Sequence, residues 1–373
     1  MSQRIRVGVI GCGVIAEVMH LPHLLELDDL FELAAVCDIS EGRAAACARR
    51  FGGPAQFTSW EQMLGSQRLD AVLVLTSGSH APAAIAAAQA GKHVLVEKPM
   101  SFNLEEGVEM VHAARSSGVQ LMVGMMKRYD PAYERLLELL PDAGELRLVK
   151  VTTLESPYRP YVEGYPLAPT MPAAPEVIAQ LQAEDERRLD VALPAADAQT
   201  RHCYHRILIG SLVHEFNALR GALGEPDQVK YAALDPRVVN LSIGFAGTDC
   251  HMSWVALPGM ARYSQQFAFF GLERRLTLTL PSPYLRGFPS ELAIEGGTPD
   301  TSHSWRTVET VSYIEAFKRE LIEFHGAIDE AREPLTDGID GLHDVALCSA
   351  IARVHMTGEP AVRPSALGSE VGA

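Results

Sequence analysis

The stretch Val7-Gly-Val-Ile-Gly-Cys-Gly-Val-Ile-Ala16 decides the fold. A short β-rich apolar run, 5–10, meets a helical pattern over 15–27, and between them Gly11, Gly13 and Ala16 spell GxGxxA. Gly11 permits the tight turn, Gly13 lets a pyrophosphate approach the backbone, and Ala16 lets the helix pack on a sheet. The N–H groups at the helix start, around Val14 and Ile15, point at the anion. Asp38, at the end of the next strand, is placed to accept hydrogen bonds from adenosine ribose hydroxyls and to repel a 2′-phosphate. NAD is therefore the expected cofactor. Arg43, one turn into the following helix, keeps NADP as the alternative.

Outward from this turn, strand patterns at 5–10, 33–37, 71–75, 93–96 and 120–124 alternate with helical patterns at 15–27, 41–51, 82–90 and 104–116. That alternation predicts an α/β Rossmann domain, a doubly wound parallel sheet, over 1–125. A second, α+β domain with a large, mainly antiparallel sheet is expected over 126–357. Its strands are read at 146–154, 228–234, 238–244, 249–257, 262–270 and 274–280, with helices at 132–140, 208–223, 312–331 and 338–355. Prolines crowd residues 156–200 around one helical stretch, 176–190, which marks an insert of functional rather than core character. From 358 a flexible tail is expected.

Composition narrows the functions. Against 32 Lys plus Arg stand 47 Asp plus Glu, a formal charge of -15, so phosphate backbones and anionic membrane surfaces are repelled. No nucleic acid and no membrane partner is expected, and no run of about 18 apolar residues suggests a span. The six cysteines are scattered, without zinc-ligand spacing, so no metal is expected. Residues 1–10 lead from polar residues into a strand without a leader pattern, which makes the cytoplasm the expected location.

The fourth strand ends in Gly91-Lys-His-Val-Leu-Val-Glu-Lys-Pro-Met100, at the carboxyl edge where open α/β sheets bind ligands. Lys98 follows an apolar strand, and Pro99 stops that strand and holds the turn. Its ammonium can reach a substrate hydroxyl beside a nicotinamide. With this element, the GxGxxA turn, Asp38, Thr76-Ser77 followed by His80, Gly124-Met-Met-Lys-Arg-Tyr-Asp-Pro131, and His214 ahead of Gly224-Glu-Pro226, the sequence resembles the glucose-fructose oxidoreductase / inositol dehydrogenase / MocA family.

The resemblance implies that Thr76, Ser77 and His80 line the nicotinamide side. Glu97 and Lys98 would stand at the reacting centre, and His214 would be the second catalytic residue. The C-terminal sheet would cover the site with one face and join subunits of a homodimer or homotetramer with the other. Family members commonly carry an Asp four residues before the catalytic His, where this sequence has Gly210; Tyr204, His205 or Glu215 remain as candidates to orient His214. Arg128 and Tyr129 either contact ligand or pack and solvate. Tyr158, Arg159 and Tyr161 of the insert, with Tyr204, His205 and Asn217, are the further candidates for substrate contact.

The expected reaction passes hydride between nicotinamide and a secondary alcohol or ketone of a sugar, sugar derivative or cyclitol. His214 would exchange the hydroxyl proton while Lys98 stabilises alkoxide character. Two alternatives stand beside it. One is NAD-dependent elimination or glycosidic cleavage through a transient keto-sugar; the other is a redox-silent dinucleotide-binding regulator.

Overall fold

A computed structural model of the chain describes residues 4–169, 172–298, 300 and 302–364. The apolar strands β1 (Ile5–Ile10), β2 (Phe31–Cys37), β3 (Ala55–Phe57), β4 (Ala71–Val74), β5 (His93–Glu97) and β6 (Leu121–Gly124) form one parallel sheet in the order β3-β2-β1-β4-β5-β6. Because side chains alternate along a strand, both sheet faces need cover. Val72, Val74, Val94 and Val96 pack on one face with the alanines of helix Ala81–Gln89. Leu73 and Leu95 pack on the other with Leu21 and Leu24. Strand order reverses between β1 and β4, which opens the ligand crevice at the carboxyl edge.

The remaining strands are β7 (Leu146–Glu155), β8 (Gln228–Asp235), β9 (Val238–Phe245), β10 (Thr248–Ala256), β11 (Ser264–Gly271), β12 (Arg275–Leu280), β13 (Glu291–Gly297), β14 (Ser304–Thr310) and β15 (Ala361–Val362). They make a nine-stranded sheet in the order β14-β13-β12-β11-β7-β10-β9-β8-β15, antiparallel at every contact except β7 with β10. The parallel Rossmann sheet and the mainly antiparallel second sheet are the two architectures expected. Strands β3, β13 and β14 and the helix Trp60–Ser66 are additions. Residues 361–362 of the expected tail pair with β8, and everything beyond 364 lies outside the described residues.

The two sheets are not separate in sequence at their helices. Leu321 and Phe324, on helix Ala316–Asp329, join the Rossmann core beside Val7 and Leu73. The insert also returns to the first domain. The N–H of Ala168 donates to Glu17 Oε2 (2.8 Å) and Arg50 Nη1 donates to the carbonyl of Pro166 (2.6 Å). Helix Pro175–Ala192 then docks by Asp185, which accepts from the N–H of Ser79 (3.2 Å), and by Arg188 against Glu106 (2.6 Å). The insert is thus a strap across the mouth of the dinucleotide crevice.

The expected helix at 208–223 is longer and irregular. Helical residues run from Ala198, and Cys203–Leu212 is π-helical before the α-helix Val213–Leu223. Within it Tyr204 is fully buried, and its hydroxyl donates to the carbonyl of Phe102 (2.7 Å) beside Ser349 (3.3 Å). Tyr204 therefore holds helices together and does not reach a ligand, a correction to its expected role. Tyr204→Phe should cost about 1–3 kcal/mol of stability in urea unfolding by leaving the Phe102 carbonyl unpaired, with turnover at the wild-type value. A fall in turnover without loss of stability would return Tyr204 to the site.

Candidate active site

The turn after β1 is shaped for a close visitor. Gly11 has φ +99°, and a Cβ there would sit 2.7 Å from the Leu75 carbonyl, so only glycine fits. A Cβ on Gly13 would meet nothing within 4 Å, which leaves open space above its backbone. Asp38 braces the turn: its Oδ2 accepts from the N–H of Cys12 (2.9 Å) and its Oδ1 from the N–H of Ser40 (2.8 Å). The carboxylate stays half-buried at the crevice edge. Arg43 Nη1 reaches the Cys12 carbonyl at 3.5 Å. Val14 and Ile15 lie half-buried in one apolar cluster with Tyr165 and Leu167 of the strap. These residues fit a dinucleotide: an open backbone cradle, a helix start, and a carboxylate one strand away.

Across the crevice Thr76 and Ser77 form a half-open rim. His80, expected to face a cofactor, is instead buried, with Nδ1 on the Pro99 carbonyl and Nε2 on the Thr76 carbonyl, both at 2.7 Å. Burial lowers its pKa although both carbonyls favour the cation. Its ring pins the loop after β4 to the turn after β5, and no ring nitrogen remains for a ligand. Glu97 is likewise committed. Its Oε1 meets His20 Nε2 (2.9 Å) and its Oε2 accepts from the N–H of Lys98 (3.1 Å). Burial opposes its charge, but His20 and Lys98 outweigh that and hold its pKa below the usual range. Glu97 therefore backs Lys98 rather than touching a cofactor.

Lys98 projects across the domain boundary, and its Nζ donates to the Gly210 carbonyl (2.7 Å) in the π-helical turn. Burial lowers its pKa, opposed by Glu97, Glu215 and Glu155. His214, one turn further along the helix, stands close enough to Lys98 and Lys127 for their charges, added to burial, to push its pKa well below 6.5. Its Nδ1 is buried without a hydrogen-bond partner. Lys98 and His214 thus meet at one place.

Two residues at this place, Lys127 and Glu155, were not singled out from the sequence, and Glu215 was read only as a candidate to orient His214. Lys127 is 5% exposed and its Nζ lies 3.5 Å from Glu215 Oε2; burial lowers its pKa. Glu215, fully buried, also accepts from Thr153 Oγ1 (2.7 Å) and from Gln265. Glu155, the last residue of β7, accepts on Oε2 from Ser211 Oγ (3.1 Å) and Trp254 Nε1 (3.4 Å). Lys127 lies inside the motif 124–131. Glu155 stands one residue past the expected end of its strand, which is why it escaped notice.

The other expected substrate residues lie elsewhere. Arg128 Nη1 donates to the Asn217 backbone carbonyl (3.4 Å) and Oδ1 (3.3 Å), while Asn217 Nδ2 donates to Asp340 and Asp344 (2.6 Å each). The Tyr129 hydroxyl pairs with Thr336 Oγ1 (2.8 Å) in the Rossmann core. These three tie helices together and are corrected to that role. His205 packs its ring 4.8 Å from that of Phe102, beside a surface hollow that Glu186 and Arg201 also line, and not beside Lys98. Tyr158 stays open, 51% exposed at the strap with its ring 5.4 Å from Tyr284, and Arg159 beside it is exposed as well. Glu215 turns toward Lys127, so neither it, Tyr204 nor His205 orients His214. No cluster of three metal-binding side chains occurs among the described residues, all six cysteines are free and buried, and no described helix is long and apolar enough to cross a membrane.

Comparison with known proteins agrees with this geometry. The family described as an oxidoreductase family with an NAD-binding Rossmann fold matches residues 5–125. Inositol 2-dehydrogenase 3 of Saccharopolyspora erythraea is 40% identical over 142 residues, which are 38% of this chain and 41% of that protein. The matched stretch is thus under half the length of that relative. D-xylose 1-dehydrogenase (NADP(+)) 2 of Haloferax volcanii is 26% identical over 343 residues, 88% of this chain and 90% of the relative. Among solved structures, levoglucosan dehydrogenase in complex with NADH superposes with TM-score 0.73 at 19% identity, over 96% of this chain and 99% of its own. The 3-ketoreductase KijD10 of Actinomadura kijaniata, in complex with NADP and TDP-benzene, gives 0.69 at 22% identity, over 93% and 97%. At such identities the structural likeness speaks for the fold, while the match to the oxidoreductase family with an NAD-binding Rossmann fold is confined to residues 5–125.

Proposed function

We propose that this protein is an NAD(P)-dependent oxidoreductase acting on a secondary alcohol or ketone of a sugar, sugar derivative or cyclitol. The observation that carries this reading is the meeting of Lys98 and His214 at the carboxyl edge of the sheet whose first turn is a dinucleotide cradle. The relatives named for inositol, xylose and levoglucosan support the substrate class. Residues 1–125 would hold the dinucleotide and 126–357 the substrate and subunit contacts. A bound nicotinamide supplies the hydride acceptor or donor. Gly11, Gly13, Val14 and Ile15 would hold its pyrophosphate, Asp38 the adenosine ribose, and Thr76 and Ser77 the nicotinamide side. NAD fits Asp38 better than NADP does, because the half-buried carboxylate opposes a 2′-phosphate.

Lys98 donates to the reacting oxygen and stabilises its alkoxide character. Burial and the two neighbouring ammonium groups keep His214 neutral, and it exchanges the hydroxyl proton. Lys127, neutralised by Glu215, frames the substrate hydroxyls, and Tyr158 stands at the mouth. The exposed outer edge of the second sheet, with Trp305 and Val308 on β14, suits a homodimer or homotetramer. Six reduced, buried thiols suit the cytoplasm.

The direct test is a screen of myo-inositol, D-xylose, levoglucosan and their keto forms, read by reduced-nicotinamide absorbance; a chain inert toward all sugars and cyclitols would refute the reading. Accumulation of NADH also separates net oxidation from elimination on a recycled cofactor. Lys98→Ala should abolish most turnover while NAD binding, by calorimetry, stays near wild type. Because the donating form of Lys98 is the charged one and its pKa is lowered from 10.5, activity should fall on the alkaline side before that pH is reached. A profile flat through pH 10.5 would count against it. His214→Asn should lower turnover by about 10²–10⁴-fold, the usual worth of an acid–base group. Asp38→Ser should relax discrimination between NAD and NADP, whereas tighter wild-type binding of NADP would contradict the role given to Asp38.

A further inference from the structure

An alcohol that loses hydride must also lose a proton, and His214 is a poor place for that proton to stay. A protonated ring would carry its Nδ1–H into a buried position where no acceptor meets it, and would share the cleft with the ammonium groups of Lys98 and Lys127. The helix offers no help from Gly210. It has no side chain, and a Cβ built there would stand 2.8 Å from the His205 carbonyl, which the π-helical turn presses against it. A carboxylate must come from outside the helix.

Strand β7 provides one. Val151, Thr153 and Glu155 alternate onto the same face. Thr153 engages Glu215 and Glu155 engages Ser211, residues four apart and hence on one side of the helix. Ser211 adjoins Gly210, whose carbonyl holds Lys98. Both hydrogen bonds that Glu155 receives, from Ser211 and Trp254, fall on Oε2, which fixes the side chain and leaves Oε1 for another partner. Thr153, Gln265 and Lys127 occupy both oxygens of Glu215, whereas Oε1 of Glu155 receives no hydrogen bond among the described residues.

We propose that Glu155 is the final acceptor of the substrate hydroxyl proton during oxidation, and its donor during reduction. The inference rests on the hydride-transfer reading above. In the oxidative direction the C–H electron pair leaves as hydride for the oxidised nicotinamide dinucleotide, the carbonyl forms, and the O–H bond breaks. The proton passes by way of His214 and forms an O–H bond on Glu155 Oε1. The charged and titratable groups around Glu155 are Lys98, Lys127, Glu215, Tyr263 and Tyr284. Burial raises the Glu155 pKa above the ordinary 4.5, opposed by the Ser211 hydrogen bond and reinforced by Glu215, which brings the carboxylate closer to the working range of an acid–base group. As the base form is needed for oxidation, the rate should fall as pH drops through that raised pKa.

On a polyol that the wild-type chain oxidises, Glu155→Gln should lower kcat by about 10²–10⁴-fold with KM and NAD binding nearly unchanged. The acid limb of the rate profile should vanish in Glu155→Gln. Formate should restore part of the rate of Glu155→Ala. In the chain without dinucleotide, carbon-13 NMR of labelled glutamates should show one carboxyl, absent in Glu155→Gln, that titrates above the usual glutamate value of about 4.3. The proposal is overturned if Glu155→Gln keeps its rate and acid limb. It is equally overturned if the rate falls but the limb remains and formate has no effect, since a lost anchor for Ser211 would do that. An inert wild-type chain overturns the hydride-transfer reading and this assignment together; an active one with an indifferent Glu155 overturns the assignment alone.

Discussion

The contact on which the site depends is the hydrogen bond from the Lys98 ammonium to the Gly210 carbonyl. It joins the edge of the parallel sheet to a helix of the second domain, and it takes a charge out of water to do so. Desolvation opposes that placement, and Glu97, Glu215 and Glu155 offset it from three sides. Glu97 in turn is held by His20, a residue of the helix that follows the dinucleotide turn. One chain of contacts therefore runs from the cradle of Gly11 and Gly13 to the lysine and onward into the second domain. Disturbing either end shifts the lysine relative to both.

The carbonyl that receives that lysine lies in an irregular stretch of helix. In an α-helix each interior carbonyl is taken by the N–H four residues on. The π-helical stretch Cys203–Leu212 changes that pairing just where Gly210 faces Lys98. The same distortion brings the His205 carbonyl against Gly210 and closes the position to any side chain. Glycine there is a steric requirement of this backbone, and the local chemistry has been built around it from the strand side.

Much of this was legible in the residues. The glycine turn, Asp38 and the apolar strand runs announce the first domain, because strands buried on both faces leave unbroken apolar segments. Lys98 was legible from its place after such a strand. What failed was anything that depends on partners far away in sequence. Arg128 and Asn217 look like polar hands for a ligand until Asp340 and Asp344 arrive to take them. Tyr129 and Tyr204 carry hydroxyls that a substrate could use, but Thr336 and the Phe102 carbonyl reach them first. Strand β14 is exposed at nearly every position and shows no alternation to read, and β3 is only three residues long. The π-helical turn leaves no mark in composition, so the positions of Gly210 and Glu155 could not be joined beforehand.

The second sheet is stitched in an order that differs from the order of the chain. Strand β7 leads it in sequence, yet its Val149 pairs with Cys250 on one side and Phe269 on the other. As the chain leaves the ribosome, β7 waits unpaired through the whole strap and the irregular helix. The first sheet, built from neighbours in sequence, can close long before. Contacts so distant along the chain make slow, late steps in folding. Thr153 and Glu155 stand on that waiting strand, so the floor of the cleft is set only once β10 and β11 have docked. Newly made chains would pass through a state in which the parallel strands have paired while the strand side of the cleft, and the helix 316–329 that completes the first core, are still to come.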